Sequence, residues 1–415
     1  MRKVVDSVVP ARLGAGYRWL LASSWSSNLG DGVALAAGPL LVTSLTDDPF
    51  LISLAALLRW APPLMFGLYA GVLSDRLDRR RIMIAANAAR VVVLAVLVAM
   101  LLSGTLTVLG ALVALGLLTV AEVFADNTAG TLTPMLVHRD DLAIANARLQ
   151  TGFITLNQLI GPPIGAALFA AGTAWPFAAE VVLVAAGVVL VSRVRLPARE
   201  RPDGARRSLR RDVAEGFRWT VNHAAVRTLV LTILIFNVAF GAAWSVLVLY
   251  AQEQLGLGAV GFGLLTTVSA VGGLLGTALY GAITRRVSLG NVMRVGLIIE
   301  TLTHLGLAMT TSPVLASAIF FVFGAHAFVW GTTSVTVRQR AVPEPLQGRV
   351  NSLNTIAVFG GLVVGSLIGG VLATHYGVTA PFWFAFAGSA AFVVLLWREM
   401  TRIAHADEEP VPAPA

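Results

Sequence analysis

Asn28 and Asp31 stand three residues apart in SNLGDGVALAAG, a stretch otherwise built of small and apolar residues. That spacing puts both side chains on one face of a helix, with Gly30 and Gly32 expected to let the backbone flex between them. A carboxyl held there out of water can exchange a proton or meet a cationic molecule, because burial disfavours its charged form. The plainer alternative is a packing aspartate hydrogen-bonded to a neighbour. Arg59 is taken as the only basic residue well inside an apolar run, and it needs an anion. Asp31 is the expected partner, offset by about one helical turn at ~1.5 Å per residue. Glu122 and Asp126, four apart, again share a face, and Glu122 is the second candidate proton site. Further along come Asn237 with Trp244, Glu300 with His304, and His326 with Trp330. His326 titrates near neutrality and could share proton work, although a lone histidine is more often a packing residue. Glu300 is expected to bond inward to the following apolar segment.

These residues lie in a chain of 415 that is 56% hydrophobic and 13% charged, with a mean hydropathy of +0.78. Such a composition leaves too little polar surface for a water-soluble globule and implies a polytopic membrane protein. At ~20 residues per crossing of a hydrocarbon core of roughly 30 Å, hydropathy predicts twelve spans. They fall near 18–45, 50–73, 82–102, 106–131, 146–171, 175–194, 226–250, 260–284, 290–311, 314–336, 351–374 and 379–398. The connections TDDP, SGTLT, GTAWP, QEQLGLG, TSP and THYGV hold no Lys or Arg, whereas the alternate ones hold almost all of them. That asymmetry places both termini in the cytoplasm. It also accounts for the net charge of +8 without a nucleic-acid partner. No removable signal peptide is expected at MRKVVDSVVPARLGAGYRW. With no cysteine there is no disulfide and no thiolate metal site, and no cofactor or metal is expected.

The one long polar interval, 195–225, begins as a solvated linker and continues with Leu209, Val213, Phe217 and Val221 every four residues. The second part reads as an amphipathic helix on the cytoplasmic membrane face, with a plain packing role as the simpler alternative. The expected organisation is a six-helix half over 1–194, this linker, a second half over 226–400 and a disordered tail over 401–415. Gly161, Gly165 and Ala166 recur 204 residues later as Gly365, Gly369 and Gly370, as expected of two related halves.

Between the second and third spans runs GVLSDRLDRRR, residues 71–81. It resembles the signature loop of the major facilitator superfamily, matching at Gly71, Leu73, Asp75, Arg76, Arg79 and Arg80, with Asp78 where that pattern usually has Gly. The resemblance implies an all-α integral membrane fold of twelve helices in two pseudo-symmetric bundles, with spans 1, 4, 7 and 10 around the substrate route. Asn28, Asp31, Arg59, Asn237, Trp244, His326 and Trp330 are then cavity candidates. It also implies a gating cluster of the loop charges, with Arg79 pairing Asp126 and Asp75 meeting the start of the span near Asn351. The run Gly161-Pro162-Pro163-Ile164-Gly165-Ala166 resembles the G-P-x-x-G-G element of facilitator antiporters, expected to let spans five and eight approach closely. Generic small-residue packing is the alternative. LGDG, the loop and EGFRWTVNHAAVRTLVL together resemble the branch holding enterobactin exporters and macrolide efflux pumps. The expected function is proton-coupled export of a small apolar or amphiphilic molecule across a bacterial inner membrane, by a monomer. A non-transporting membrane sensor and a facilitator importer remain the alternatives. No G-x-x-x-x-G-K-S/T, H-E-x-x-H or G-x-S-x-G is present, so neither an ATP-driven pump nor an enzyme is expected.

Overall fold

The computed structural model describes residues 11–195 and 209–397 together with Glu399, and is helical throughout its ordered elements. The solvated part of the linker and the tail after residue 400 lie outside the described residues, as do the side chains of Asp75 and of residues 209–213. In chain order the helices are α1 (Gly14–Thr43), α2 (Pro49–Arg76), α3 (Arg79–Leu102), α4 (Val108–Leu136), α5 (Arg139–Ala171, continuous but changing in helix type) and α6 (Trp175–Val191). After α7 (Leu209–Asn222) come α8 (Ala224–Trp244), α9 (Ala259–Thr284), α10 (Leu289–Met309), α11 (Pro313–Ala341), α12 (Gln347–Tyr376) and α13 (Ala380–Leu396). Nine of the described helices are long and apolar enough to cross a membrane. The shorter apolar helices α6 and α13, and the 30-residue α1, stand where the three other spans were expected.

Large apolar side chains such as Val92, Val96 and Leu102 on α3 and Val394 and Leu395 on α13 point outward, more than half exposed. In water such faces would drive aggregation; in a bilayer they meet acyl chains. Two compact units form. One comprises Met1–Asp47, Ala61–Arg201 and Leu257–Thr267, and the other Asp48–Trp60, Pro202–Gly256 and Val268–Ala415.

In the first unit α1 packs on α6 through small polar residues. Ser23 donates to the Gly187 carbonyl at 2.8 Å and Ser26 to that of Leu183 at 2.7 Å. A hydrophobic cluster of Ala37, Leu41, Leu94, Leu97, Leu118, Phe177 and Val184 fills the space among α1, α3, α4 and α6. α5 passes from an α-helical segment, Leu142–Gly152, through a π-helical one, Phe153–Ile160, to Gly161–Ala171. The cause is local: Pro162 and Pro163 have no N–H, so the carbonyls four residues earlier lose their helical partners. One of these, Leu159, accepts a hydrogen bond from Thr267 at 3.4 Å instead.

Gly161 and Gly165 seat α1, not α9 as expected. A Cβ at Gly161 would lie 2.5 Å from the Gly32 backbone, and one at Gly165 would strike the Val33 carbonyl. The π-helical turn rotates the two glycines toward α1 and leaves the α9 contact to Pro162 and Ala166, against which Gly263 fits. In the second unit Gly361, Gly365 and Gly369, one turn apart on α12, press on the α8 backbone around Leu234, Val238 and Ala242. The fifth span on the first and the eleventh on the seventh are therefore the same joint built twice. The helix α7 docks on α12: Glu215 pairs with Arg349, Gly216 abuts the Arg349 backbone and Trp219 packs on the core, while Phe217 and Val221 stay exposed.

Candidate functional site

The strongest candidate is a buried ion triad inside the first unit, and its central member escaped the sequence reading. Arg90 projects from the middle of α3 and pairs with Asp31 of α1 through a short contact and with Glu180 of α6 at 3.2 Å. The three side chains are 3%, 9% and 2% exposed respectively, so neither water nor salt screens them. Asn87, one turn before Arg90, accepts from its second terminal nitrogen at 3.3 Å. Glu122 on α4 lies within electrostatic range of both Arg90 and Glu180.

Glycines bring the helices close enough for this. A Cβ at Gly30 would come within 3.3 Å of the Glu180 side chain, and one at Gly32 within 2.6 Å of the Asn157 carbonyl on α5. Gly30 thus makes room for Glu180 and Gly32 for the π-helical segment, with Asp31 between them. The expected flexing at these glycines gives way to close packing on both sides. Arg90 also corrects two expectations: Arg59 is not the only basic residue deep in a span, and the cation that meets Asp31 comes from α3. Arg59 itself is half-buried on α2, its guanidinium 5.3 Å from the ring centre of Trp60.

Two carboxylates face one guanidinium, which cannot neutralise both. The Glu180 oxygen not bonded to Arg90, and Nε of Arg90, have no hydrogen-bond partner. A surplus negative charge sealed in an apolar wall is costly, and the cheapest remedy available to a carboxylate pair is one proton held between them. The arrangement can therefore bind and release a proton while Arg90 shifts its bond from one carboxylate to the other.

The remaining candidates are distributed differently. Asn28 and Asn237 turn back on their own helices, donating to the carbonyls of Ser24 and Ile233 at 2.8 and 2.7 Å. Trp244 stacks on Phe240 with ring centres 4.3 Å apart and meets His304 edge-on at 5.9 Å. His326 is buried 3.7 Å from Glu300, so Glu300 does turn to the helix that follows it. Trp330 is half-buried beside Gly296.

In the loop, Asp78 caps α3 in extended backbone at φ −65°, accepting from the Arg81 N–H at 3.1 Å. The expected glycine is unnecessary because no positive φ occurs there. Arg79 donates to the carbonyls of Ser74 and Thr131, both at 3.0 Å, and Arg80 to that of Ser192. The charged loop is thereby tied to the C-terminal ends of α4 and α6. A Cβ at Gly71 would meet nothing within 4 Å, Arg76 is exposed, and Asp126 sits on the exposed face of α4. No group of three or more metal-ligating side chains occurs among the described residues.

The model of a family described as transmembrane secretion effector matches residues 7–413. Macrolide efflux protein A of Streptococcus pyogenes is 23% identical, covering 86% of this chain and 88% of that protein. The multidrug efflux pump Tap of Mycolicibacterium fortuitum is 26% identical over 88% and 90%, and the enterobactin exporter EntS of Shigella boydii serotype 4 is 25% identical over 86% and 85%. Among solved structures, the nucleoside transporter NupG superposes with a TM-score of 0.70 at 14% identity, over 94% of this chain and 99% of that one. A bacterial homologue of the iron transporter ferroportin in an inward-facing state gives 0.70 at 17%, over 94% and 98%. Those structural likenesses establish the fold, and the family match establishes descent. The chain belongs to the transmembrane secretion effector family of the major facilitator superfamily and is a multi-pass membrane transporter of small molecules, not an enzyme.

Proposed function

We propose that this transporter is a proton antiporter that exports a small apolar or amphiphilic molecule, with Asp31 and Glu180 sharing the coupling proton around Arg90. The observation that carries the reading is the imbalance of the triad, two carboxylates to one guanidinium in a buried site. A balanced pair would serve as a structural strut; an unbalanced one needs a proton and can give it up when Arg90 moves. Glu122, within electrostatic range of Arg90 and Glu180, acts as the entry or exit group. The kinship with efflux proteins supports export. The alternation of basic and uncharged loops supports cytoplasmic termini in a bacterial inner membrane. The loop charges Asp75, Arg76, Arg79 and Arg80 serve as the cytoplasmic gate. The protein works as a monomer, without nucleic acid.

Vesicles reconstituted with the purified protein, given an outward or inward pH gradient and screened against dyes, macrolides and siderophores, test this. Substrate movement that follows the proton gradient is expected. Movement equally fast with the gradient collapsed by a protonophore identifies a facilitator and removes the proton from the mechanism.

A further inference from the structure

The second unit buries another set of ionisable groups that the triad does not use. On α10, Glu300 and His304 stand four residues apart on one face, and His326 reaches them from α11, its Nε2 3.7 Å from the Glu300 carboxylate. His304 is fully buried and His326 nearly so, and none of their four ring nitrogens has a hydrogen-bond partner. Unlike the triad, this cluster contains no arginine. Arg294, on the same helix, is drawn away: it donates to the Trp397 carbonyl at 2.8 and 3.2 Å and lies over that ring. Arg338 and Arg340 stand three or more turns beyond His326, roughly 18 Å along the helix. The packed helix α13 carries no ionisable residue, and α8 presents the ring of Trp244. From α9, Tyr280 is engaged with Thr333.

A bare carboxylate facing only neutral rings in this interior is expensive, and a proton relieves it in either of two positions. On Glu300 it leaves both groups neutral; on His326 it converts them to an ion pair. We propose that Glu300 and His326 form a second proton-binding site, in the second unit, with one proton shared between carboxylate and imidazole. His304, one turn along, supplies the next pair of ring nitrogens for its transfer. The proposal rests on the proton-coupled reading of the protein, yet it concerns occupancy by a proton, which is measurable without any transported molecule.

The test is pH-difference infrared spectroscopy of the full-length protein in lipid nanodiscs, following the carbonyl stretch of protonated carboxylic acids. Wild type is expected to lose such bands as pH rises, and Glu300→Gln to lack one of them. Asp31→Asn, which alters only the first unit, is expected to retain that band. His326→Leu removes the group able to stabilise ionised Glu300, so the band is expected to persist to higher pH by about one unit. None of the three substitutions creates a buried charge, and the histidine variant reads the site without altering its carboxyl. A Glu300→Gln spectrum identical to wild type, or a His326→Leu titration that does not move, overturns the proposal. Vesicle transport that ignores the proton gradient would refute antiport while leaving this spectrum as it stands, so the two failures are distinguishable.

Discussion

Arg90→Met is the most informative single substitution. It keeps the length and much of the volume of the side chain, yet takes away the only cation that the triad contains. Two carboxylates, 9% and 2% exposed, are left facing each other. Removing one partner of a buried ion pair costs about 3–5 kcal/mol. For a unit of this size, each kcal/mol shifts the midpoint of unfolding by roughly 2–4 °C, so a fall on the order of 6–20 °C is expected. Asp31→Asn and Glu180→Gln behave differently, because each leaves one carboxylate for one guanidinium. Their shifts are expected to be less than half as large. In the triple variant Arg90→Met, Asp31→Asn, Glu180→Gln the attraction and the desolvation cost vanish together, and most of the lost stability returns. Thermal unfolding in detergent micelles, followed by intrinsic tryptophan fluorescence, measures all five proteins. A triple variant no more stable than Arg90→Met, or a single Arg90→Met indistinguishable from wild type, would refute the assignment of Arg90 as the counter-ion.

Asp31→Asn is expected to abolish gradient-driven export in vesicles while leaving a folded, monodisperse protein, since the amide keeps the shape but exchanges no proton; full driven transport by that variant would exclude Asp31. Gly165→Ala and Gly365→Ala insert a methyl into a backbone contact and should each cost about 1–3 kcal/mol by overpacking, whereas Gly360→Ala and Gly388→Ala, which open onto free space, should leave the melting point unchanged. Arg79→Ala is expected to slow turnover with little change in substrate affinity, and a variant altered in affinity alone contradicts the gating role. Asp78→Ala removes the cap of α3 and should lower stability by about 0.5–2 kcal/mol, with Asp78→Gly losing only a few tenths; equal losses from both would show that the turn, not the cap, matters.

Sequence reading located the membrane helices well because apolar length is a property of one segment at a time. Arg90 escaped for the same reason: it is followed by VVVLAVLVAM, and one charge scarcely lowers the mean of so apolar a window. Glu180, within AAEVVLVAA, lies in an equally apolar window. Asp31 was singled out, but its partners lie 59 and 149 positions away, and nothing local encodes that separation. The discriminating signal was available in principle. Two opposite charges at similar depth in different spans are each prohibitive alone and tolerable together. The glycines of α5 teach a related lesson. Their smallness was evident, but the helix they seat depends on a π-helical rotation set by two prolines just after it.

The order in which the triad is assembled follows from its order along the chain. A ribosome adding roughly 5–20 residues per second releases Asp31 some ~3–12 s before Arg90 and ~7–30 s before Glu180. A central aspartate costs an isolated helix about 2.5–3.5 kcal/mol at insertion, and α1 is absent from the helices apolar enough to qualify on hydropathy. The emerging first helix is therefore a reluctant passenger until α3 arrives and supplies its counter-ion. At three spans the nascent chain is electrically matched. Only the sixth brings the second carboxylate, so the last helix of the first half to leave the translocation machinery is the one that turns a matched assembly pair into the three-membered cluster.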